Sequence, residues 1–175
     1  MKKSFLLLTS LVLIFGCATD NLEKEVASIS YDLHQSSDFN FGGKATFNQL
    51  NNSTVELVIQ LTGQKSDLPY YYSAHLHFGS LDSEDASIAH HLSPVDSRNL
   101  QSRTILGNLS NGSRLDFDDI INFDGHIKVH LADQGPDYQV ILVSGNIGSN
   151  DNSLAAFNAE NLKICSDSYL REEAL

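Results

Sequence analysis

Apolar and polar residues alternate over several short segments of the chain, which is typical of strands with one buried face. In residues 54–62, alternation places Val55, Leu57, Ile59 and Leu61 on one face. Asn51-Asn52-Ser53 before this segment favours a turn to a partner strand over 44–50. Further strands are predicted at 70–78, 87–92, 102–106, 126–132 and 138–144, and residues 116–122 could form one or two helical turns. The pattern therefore predicts an all-β protein, an antiparallel sandwich or barrel of Greek-key type.

The segment 70–78 separates its side chains into two faces of different chemistry. Alternation directs Tyr70, Tyr72, Ala74, Leu76 and Phe78 inward, and it places Tyr71, Ser73, His75 and His77 on the opposite face. We expect the core of the protein to include Leu57, Ile59, Leu61, Leu76, Val129 and Leu131.

The amino terminus has the features of a bacterial lipoprotein leader. Lys2 and Lys3 precede an apolar run at 5–15 that is too short to span a bilayer comfortably. The sequence Ile-Phe-Gly-Cys at 14–17 resembles a lipobox, with Phe15 bulkier than that motif prefers. We therefore predict a signal peptide at 1–16, a lipidated tether at 17–25 and one domain at 26–175. In this hypothesis a lipid on Cys17 anchors the chain in the cell envelope, with the outer membrane as the expected site, whereas the alternative is an ordinary signal peptide with an incidental cysteine.

Composition excludes some partners. The chain carries 11 basic and 22 acidic residues, a formal net charge of -11, so a phosphate backbone would be repelled and nucleic acid is not expected as a partner. Once Cys17 is lipidated, Cys165 is the one remaining thiol and no internal disulfide can form. The acidic residues Asp116, Asp118, Asp119 and Asp124 lack the positions of a calcium loop and are expected to be solvated.

Four segments carry a resemblance to a known family. AHLHF at 74–78, LSPVD at 92–96, IINFDGHIKVHL at 120–131 and SGNIG at 144–148 resemble the chordin-type (CHRD) domain of bacterial lipoproteins, over roughly residues 41–150. That resemblance implies an immunoglobulin-like antiparallel β-sandwich similar to Cu/Zn superoxide dismutase. The biochemical role of the family is mostly undefined, so the resemblance implies a fold more than a function.

The more distant resemblance to Cu/Zn superoxide dismutase implies a copper site. His75 and His77 resemble the H-x-H pair of copper ligands, His91 with Pro94 resembles the segment of the bridging histidine, and Val129-His130 resembles the strand of the last ligand. Residues two apart on a strand place both imidazoles on one face, roughly 6 to 7 Å apart, within reach of one ion.

The departures from the dismutase pattern fall on the chemistry. No histidine lies between His91 and His126, so the ligands of a zinc subsite have no counterpart. GNIGS at 145–149 resembles the glycine-rich loop of the dismutase, and Asn150 replaces the arginine that should end that loop and attract superoxide. With an acidic surface, guidance of an anionic substrate would be poor.

Each histidine also has an ordinary interpretation. His75 and His77 could lie on the solvated face of an edge-exposed strand, and His90 and His91 could be surface side chains, with His91 the better ligand candidate. His126 and His130 lie four apart on one strand, roughly 13 Å, so they cannot bind the same ion, and His130 is preferred.

Two functions from different classes stay open. The preferred hypothesis is a non-catalytic, membrane-tethered binding or structural module of the envelope, whose protein or envelope partner the sequence does not name. The alternative is a mononuclear copper protein, either a carrier or a zinc-free dismutase-like enzyme, with the ion on His75, His77 and His130 and with His91 as fourth ligand. Metal occupancy would then fall with pH near roughly 6.5, where histidine ordinarily titrates.

Overall fold

The computed structural model describes residues 27–51, 54–83 and 86–163. The predicted signal peptide at 1–16, the tether at 17–25 with Cys17, and the thiol of Cys165 lie outside the described residues. No helix in the described ranges is long and apolar enough to cross a membrane.

The described residues form eight strands, and the strand prediction is largely confirmed. The strand predicted at 138–144 starts at Ile141, because a short 3-10 helix occupies Pro136–Gln139. The strand predicted at 126–132 starts two residues earlier, at Asp124. A second 3-10 helix at Phe117–Asn122 matches the predicted helical turns, and a third lies at Ala159–Asn161. The first strand was not predicted. The strands are β1 Ser28–Gln35, β2 Gly42–Asn51, β3 Thr54–Thr62, β4 Tyr71–Phe78, β5 Ile88–Asp96, β6 Gln101–Ile105, β7 Asp124–His130 and β8 Ile141–Gly148.

The strands close into one antiparallel barrel in the order β1-β2-β3-β6-β5-β4-β7-β8. The expectation of an all-β antiparallel protein is therefore confirmed. β2 and β3 form the predicted hairpin and pair along most of their length, whereas β5 meets β6 at Asp96↔Gln101 and β1 meets β8 near its end, at His34↔Ser144. β4 pairs with β5 on one side and with β7 on the other, which makes it an interior strand.

The barrel interior is aliphatic and aromatic, as the alternation predicts. Leu57, Ile59, Leu76 and Val129 are at most 1% exposed and belong to one cluster with Phe47 and Ile127. Leu131 packs against this cluster from its edge. The inward prediction is wrong for Tyr70, which precedes β4 and is 44% exposed, stacked edge-on against Tyr72.

The outer face of β4 and β7 is also buried, because three connecting segments cover it. Backbone carbonyls of all three segments accept hydrogen bonds from side chains of this face. The carbonyls belong to Gly79 and Ala86 in the loop after β4, to Tyr138 in the segment after β7 and to Lys163 in the carboxyl-terminal segment. The interpretation of His75 and His77 as solvated residues on an edge strand is therefore wrong.

Candidate metal centre

Five histidines and a lysine lie on the outer face of three adjacent strands, and we call the five imidazoles the histidine cluster. The strand registers explain their proximity. His75 on β4 faces His91 on β5 and Lys128 on β7, and His77 on β4 faces His126 on β7. His130 lies two residues beyond Lys128, on the same face. The cluster consists of His75, His77, His91, His126 and His130.

His75 is the centre of the cluster. Its ring centroid lies 5.9 Å from that of His77, 5.1 Å from that of His91 and 5.4 Å from that of His130. The four histidines that the sequence suggested as ligands are thus neighbours in the structure. Whether they bind a metal stays a prediction.

Backbone carbonyls determine the tautomer of three imidazoles. The Nδ1–H groups of His77, His126 and His130 donate to the carbonyl oxygens of Ala86, Gly79 and Tyr138, at 3.1, 2.7 and 2.7 Å. Because a carbonyl oxygen only accepts, Nδ1 must carry the proton and Nε2 the lone pair. A second-shell hydrogen bond of this kind orients a metal-ligating histidine and makes it more basic.

Two buried nitrogens of the cluster have no hydrogen-bond partner among the described residues. One is Nδ1 of His75, whose Nε2 lies 3.3 Å from the hydroxyl of Ser73. The other is Nε2 of His126, whose ring stacks on His77 with centroids 4.7 Å apart and planes 2° apart. A buried polar atom without a partner is costly, which makes both nitrogens candidates for a role beyond folding.

The cluster is electrically neutral at neutral pH. Burial lowers the pKa of His75 to about 3, helped by the nearby His130, His91 and Lys128, and burial with His126 lowers the pKa of His77 to about 2. Burial also lowers the pKa values of His126 and His130 to about 4. Neutral imidazole is the form that binds metal, so protons would compete for this site well below the pH of about 6.5 expected for solvated histidines.

One side of the cluster opens into a cavity of about 300 Å³. Its lining includes His75 and His91 of the cluster, the aromatic residues Tyr71 and Tyr138, and the acidic residue Asp133. The ring of Tyr138 also stacks on His130, with centroids 4.4 Å apart and planes 9° apart. His91 is exposed along this side, unlike the four buried histidines.

The cluster has the donor chemistry of a metal centre, although its nitrogens do not yet converge. No three His, Cys, Asp or Glu side chains within residues 27–51, 54–83 and 86–163 are already placed to hold an ion. Ring rotations would have to bring the lone pairs together. Nδ1 of His75 has no hydrogen-bond partner among the described residues, so this ring can rotate without losing a backbone hydrogen bond, whereas the rings of His77 and His130 are held by their bonds to backbone carbonyls.

Sequence reasoning missed the burial of the face and the membership of His126. The distance between His126 and His130 argued against a shared ion and left His126 out. It did not consider His77, which the register places directly opposite His126. The expectation that the acidic residues are solvated is confirmed for Asp118, Asp119 and Asp124, which are exposed. Asn150 donates from its amide to the Asp124 carboxylate and to the Gly125 carbonyl.

Comparisons with models of known protein families, with curated proteins and with solved structures found no match. The fold and the site therefore define a class only: a closed antiparallel β-barrel that carries a loop-covered histidine cluster on its outer face.

Proposed function

We propose that this protein is a lipid-anchored copper-binding module of the cell envelope, in which His75, His77 and His130 hold one copper ion and His91 is the fourth ligand. The observation that carries the proposal is the position of His75, whose ring lies 5.1–5.9 Å from the rings of the other three. Bound copper would supply one-electron redox chemistry. The chain supplies oriented, neutral imidazoles, and loops cover the buried His75, His77 and His130.

A purely structural role explains the cluster less well. Buried imidazoles without complete hydrogen bonding cost free energy, and aliphatic side chains of similar volume would pack the same space without that cost. Residues that break local folding rules are commonly found where function requires them. The buried Nδ1 of His75, which has no hydrogen-bond partner among the described residues, supports a ligand at this position.

Copper is the ion that the donors favour. Imidazole suits both copper and zinc, but intrinsic affinity is higher for Cu(II) than for Zn(II), and the proposed set contains no thiolate or carboxylate to select another metal. Carriage of copper is preferred over a zinc-free dismutase activity. Asn150 offers no positive charge to an anionic substrate, and the chain has a net charge of -11.

The remaining parts of the proposal concern the anchor and the family. The lipobox-like sequence at 14–17 supports lipidation of Cys17, and fatty-acid labelling that persists in Cys17→Ser would refute it. The four CHRD-like segments support a dismutase-like Greek-key sandwich as the finer description of the barrel. Further support comes from the short joints at β5/β6 and β1/β8, which separate two better-paired groups of four strands.

Copper titration of the metal-free protein tests the function. We expect one histidine-dependent copper per chain in the wild type and a loss of affinity of at least 100-fold in a His75→Ala, His77→Ala double variant. His34→Ala is the matched control, because His34 lies on β1 and bonds the Asn152 carbonyl outside the cluster. Equal, weak binding by the wild type and the double variant would remove the copper proposal.

A further inference from the structure

We propose that the cavity beside the histidine cluster binds a small, neutral, hydroxylated ligand, of the size and chemistry of a single sugar ring. This inference goes beyond the proposed copper function and does not depend on it, because it concerns the cavity of about 300 Å³ in the metal-free protein. Cavities that hold small ligands commonly have volumes of about 300 to 1,000 Å³, so this one suits a compact molecule.

A β-bulge between β4 and β5 contributes one part of the cavity lining. The register shifts between residues 72 and 74 of β4, so that two residues of β5, Ser93 and Pro94, lie opposite Ser73 alone. Ser73, Pro94 and the nearby Leu92 all line the cavity. Bulges are common beside active sites, and a proline is tolerated there because the regular ladder is interrupted. The cavity is therefore built on the sheet as well as on a loop.

The segment after β7 contributes a second part of the lining, which includes Tyr138 and Asp133. Tyr138 is held at two points, since its carbonyl oxygen accepts a hydrogen bond from His130 and its ring stacks on the ring of His130. Tyr71 of β4 adds a second aromatic ring and is half exposed. One aromatic side of the cavity is thus in place before a ligand arrives, which lowers the entropic cost of binding.

The polar part of the lining includes a buried group whose hydrogen bonding is incomplete. His75 is 5% exposed, and its Nδ1 has no hydrogen-bond partner among the described residues. Its Nε2 lies 3.3 Å from the hydroxyl of Ser73, which lines the same cavity. A buried polar atom without a partner costs free energy, and a hydrogen bond to a ligand hydroxyl would recover it.

The charges around the cavity favour a neutral ligand. None of the described residues that line it is a lysine or an arginine, and the carboxylate of Asp133 is exposed. Burial lowers the pKa of His75 to about 3 and also lowers the pKa of His91, so neither imidazole offers a positive charge at neutral pH. An anion would meet only Asp133 and a chain of net charge -11. A cation would gain little, because solvent screens the exposed carboxylate and the guanidinium of Arg98 lies beside the Tyr71 hydroxyl.

Hydroxyl groups match the polar side chains that remain. A neutral imidazole has one donor and one acceptor, a serine hydroxyl has both, and a carboxylate accepts. A sugar hydroxyl donates to one such group and accepts from another, whereas an apolar ligand would displace their water and replace none of its hydrogen bonds. The C–H face of a sugar ring is apolar and can pack against a tyrosine ring.

Nuclear magnetic resonance titration of the metal-free protein tests the site. Glucose, galactose and myo-inositol are the neutral hydroxylated probes, and cyclohexanol is a ring of similar size with a single hydroxyl. Choline and acetate are the cationic and anionic probes. We expect saturable shifts at residues 71–75, 91–94 and 133–138 with at least one hydroxylated probe, in the millimolar range, and at least tenfold weaker binding of cyclohexanol, choline and acetate.

Two exposed positions provide the variants and their matched controls. Tyr71→Ala removes an aromatic ring of the lining and should weaken sugar binding at least tenfold, and Asp133→Asn should weaken it by a smaller factor. Tyr70→Ala and Asp137→Asn change exposed neighbours outside the lining and should bind as the wild type does.

Three results would overturn the inference: no saturable shift with any hydroxylated probe, tighter binding of choline, acetate or cyclohexanol, or sugar binding that both lining variants leave unchanged. The copper titration of the proposed function has a separate readout, so either proposal can fail without the other.

Discussion

The two faces of β4 and β7 are both buried, yet they have opposite chemistry. The inner face carries Leu76, Ile127 and Val129, which pack in the barrel core. The outer face carries the imidazoles of the cluster and Lys128, beneath connecting segments. Successive residues of the same strands thus lie in two different buried environments, one apolar and one polar. Burial of the inner face stabilises the fold, whereas burial of the imidazole nitrogens on the outer face costs part of that free energy.

Acid should affect the two faces most differently, because the histidines that take up protons lie on the outer face. The unfolded chain binds protons on histidine below about pH 6.5, whereas burial lowers the native pKa values of His75 to about 3 and of His126 and His130 to about 4. In this window the unfolded state binds more protons, so the free energy of unfolding falls as the pH falls. Each buried histidine contributes up to about 1.4 kcal/mol per pH unit.

Several such histidines would exhaust an ordinary stability of about 5–15 kcal/mol within a few pH units. We therefore expect the metal-free protein to unfold between about pH 6 and pH 4, as measured by circular dichroism and urea titration at each pH. The carboxylates with lowered pKa values, Asp32, Asp96 and Asp151, lose their contribution at a lower pH, outside this window. A stability that is constant from pH 6.5 to 4.5 would contradict the assignment of a neutral, dry cluster.

Truncation on the inner face should have the next largest effect. Leu76 is fully buried between the strands of the barrel, and Leu76→Ala removes buried apolar area and leaves a cavity. We expect a loss of about 2 to 4 kcal/mol in the free energy of unfolding at pH 7. Urea denaturation measures it, and a loss below 1 kcal/mol would mean that the core is not packed around β4 as described.

Alternation explains how far the sequence predicts this architecture. A period of two assigns Leu76 and His75 to opposite faces of β4 without any structure, and the turn residues at 51–53 predict that the segments 44–50 and 54–62 pair, as β2 and β3 do. β1 was missed although Ile29, Tyr31 and Leu33 alternate in it, because the polar residues around them weaken the signal.

The burial of the histidines could not be read from the same pattern. Alternation states which face a residue shares, and it does not state whether loops cover that face. That information resides in the path of three segments, whose carbonyls at Ala86, Tyr138 and Lys163 accept hydrogen bonds from side chains of this face. The prediction of a shared site for His75, His77, His91 and His130 therefore anticipated their proximity but not the dry environment, nor the presence of Lys128.

Replacement of His75 by leucine should give the smallest and most informative effect, because it converts the centre of the outer face to the chemistry of the inner one. His75→Leu keeps a similar volume and removes a buried Nδ1 without a partner among the described residues, together with a 3.3 Å contact to the Ser73 hydroxyl. An unsatisfied buried polar group costs about 1–3 kcal/mol, so the variant should unfold with equal or higher free energy, by up to about 1 kcal/mol at pH 7. It should also keep more of its stability at pH 5, since one titrating group is gone. Copper binding should be lost in the same protein. Gain of stability with loss of copper would show that His75 is present for the ion, whereas a loss of 2 kcal/mol or more would show that the imidazole holds the loops in place and that the outer face is a structural core of another kind.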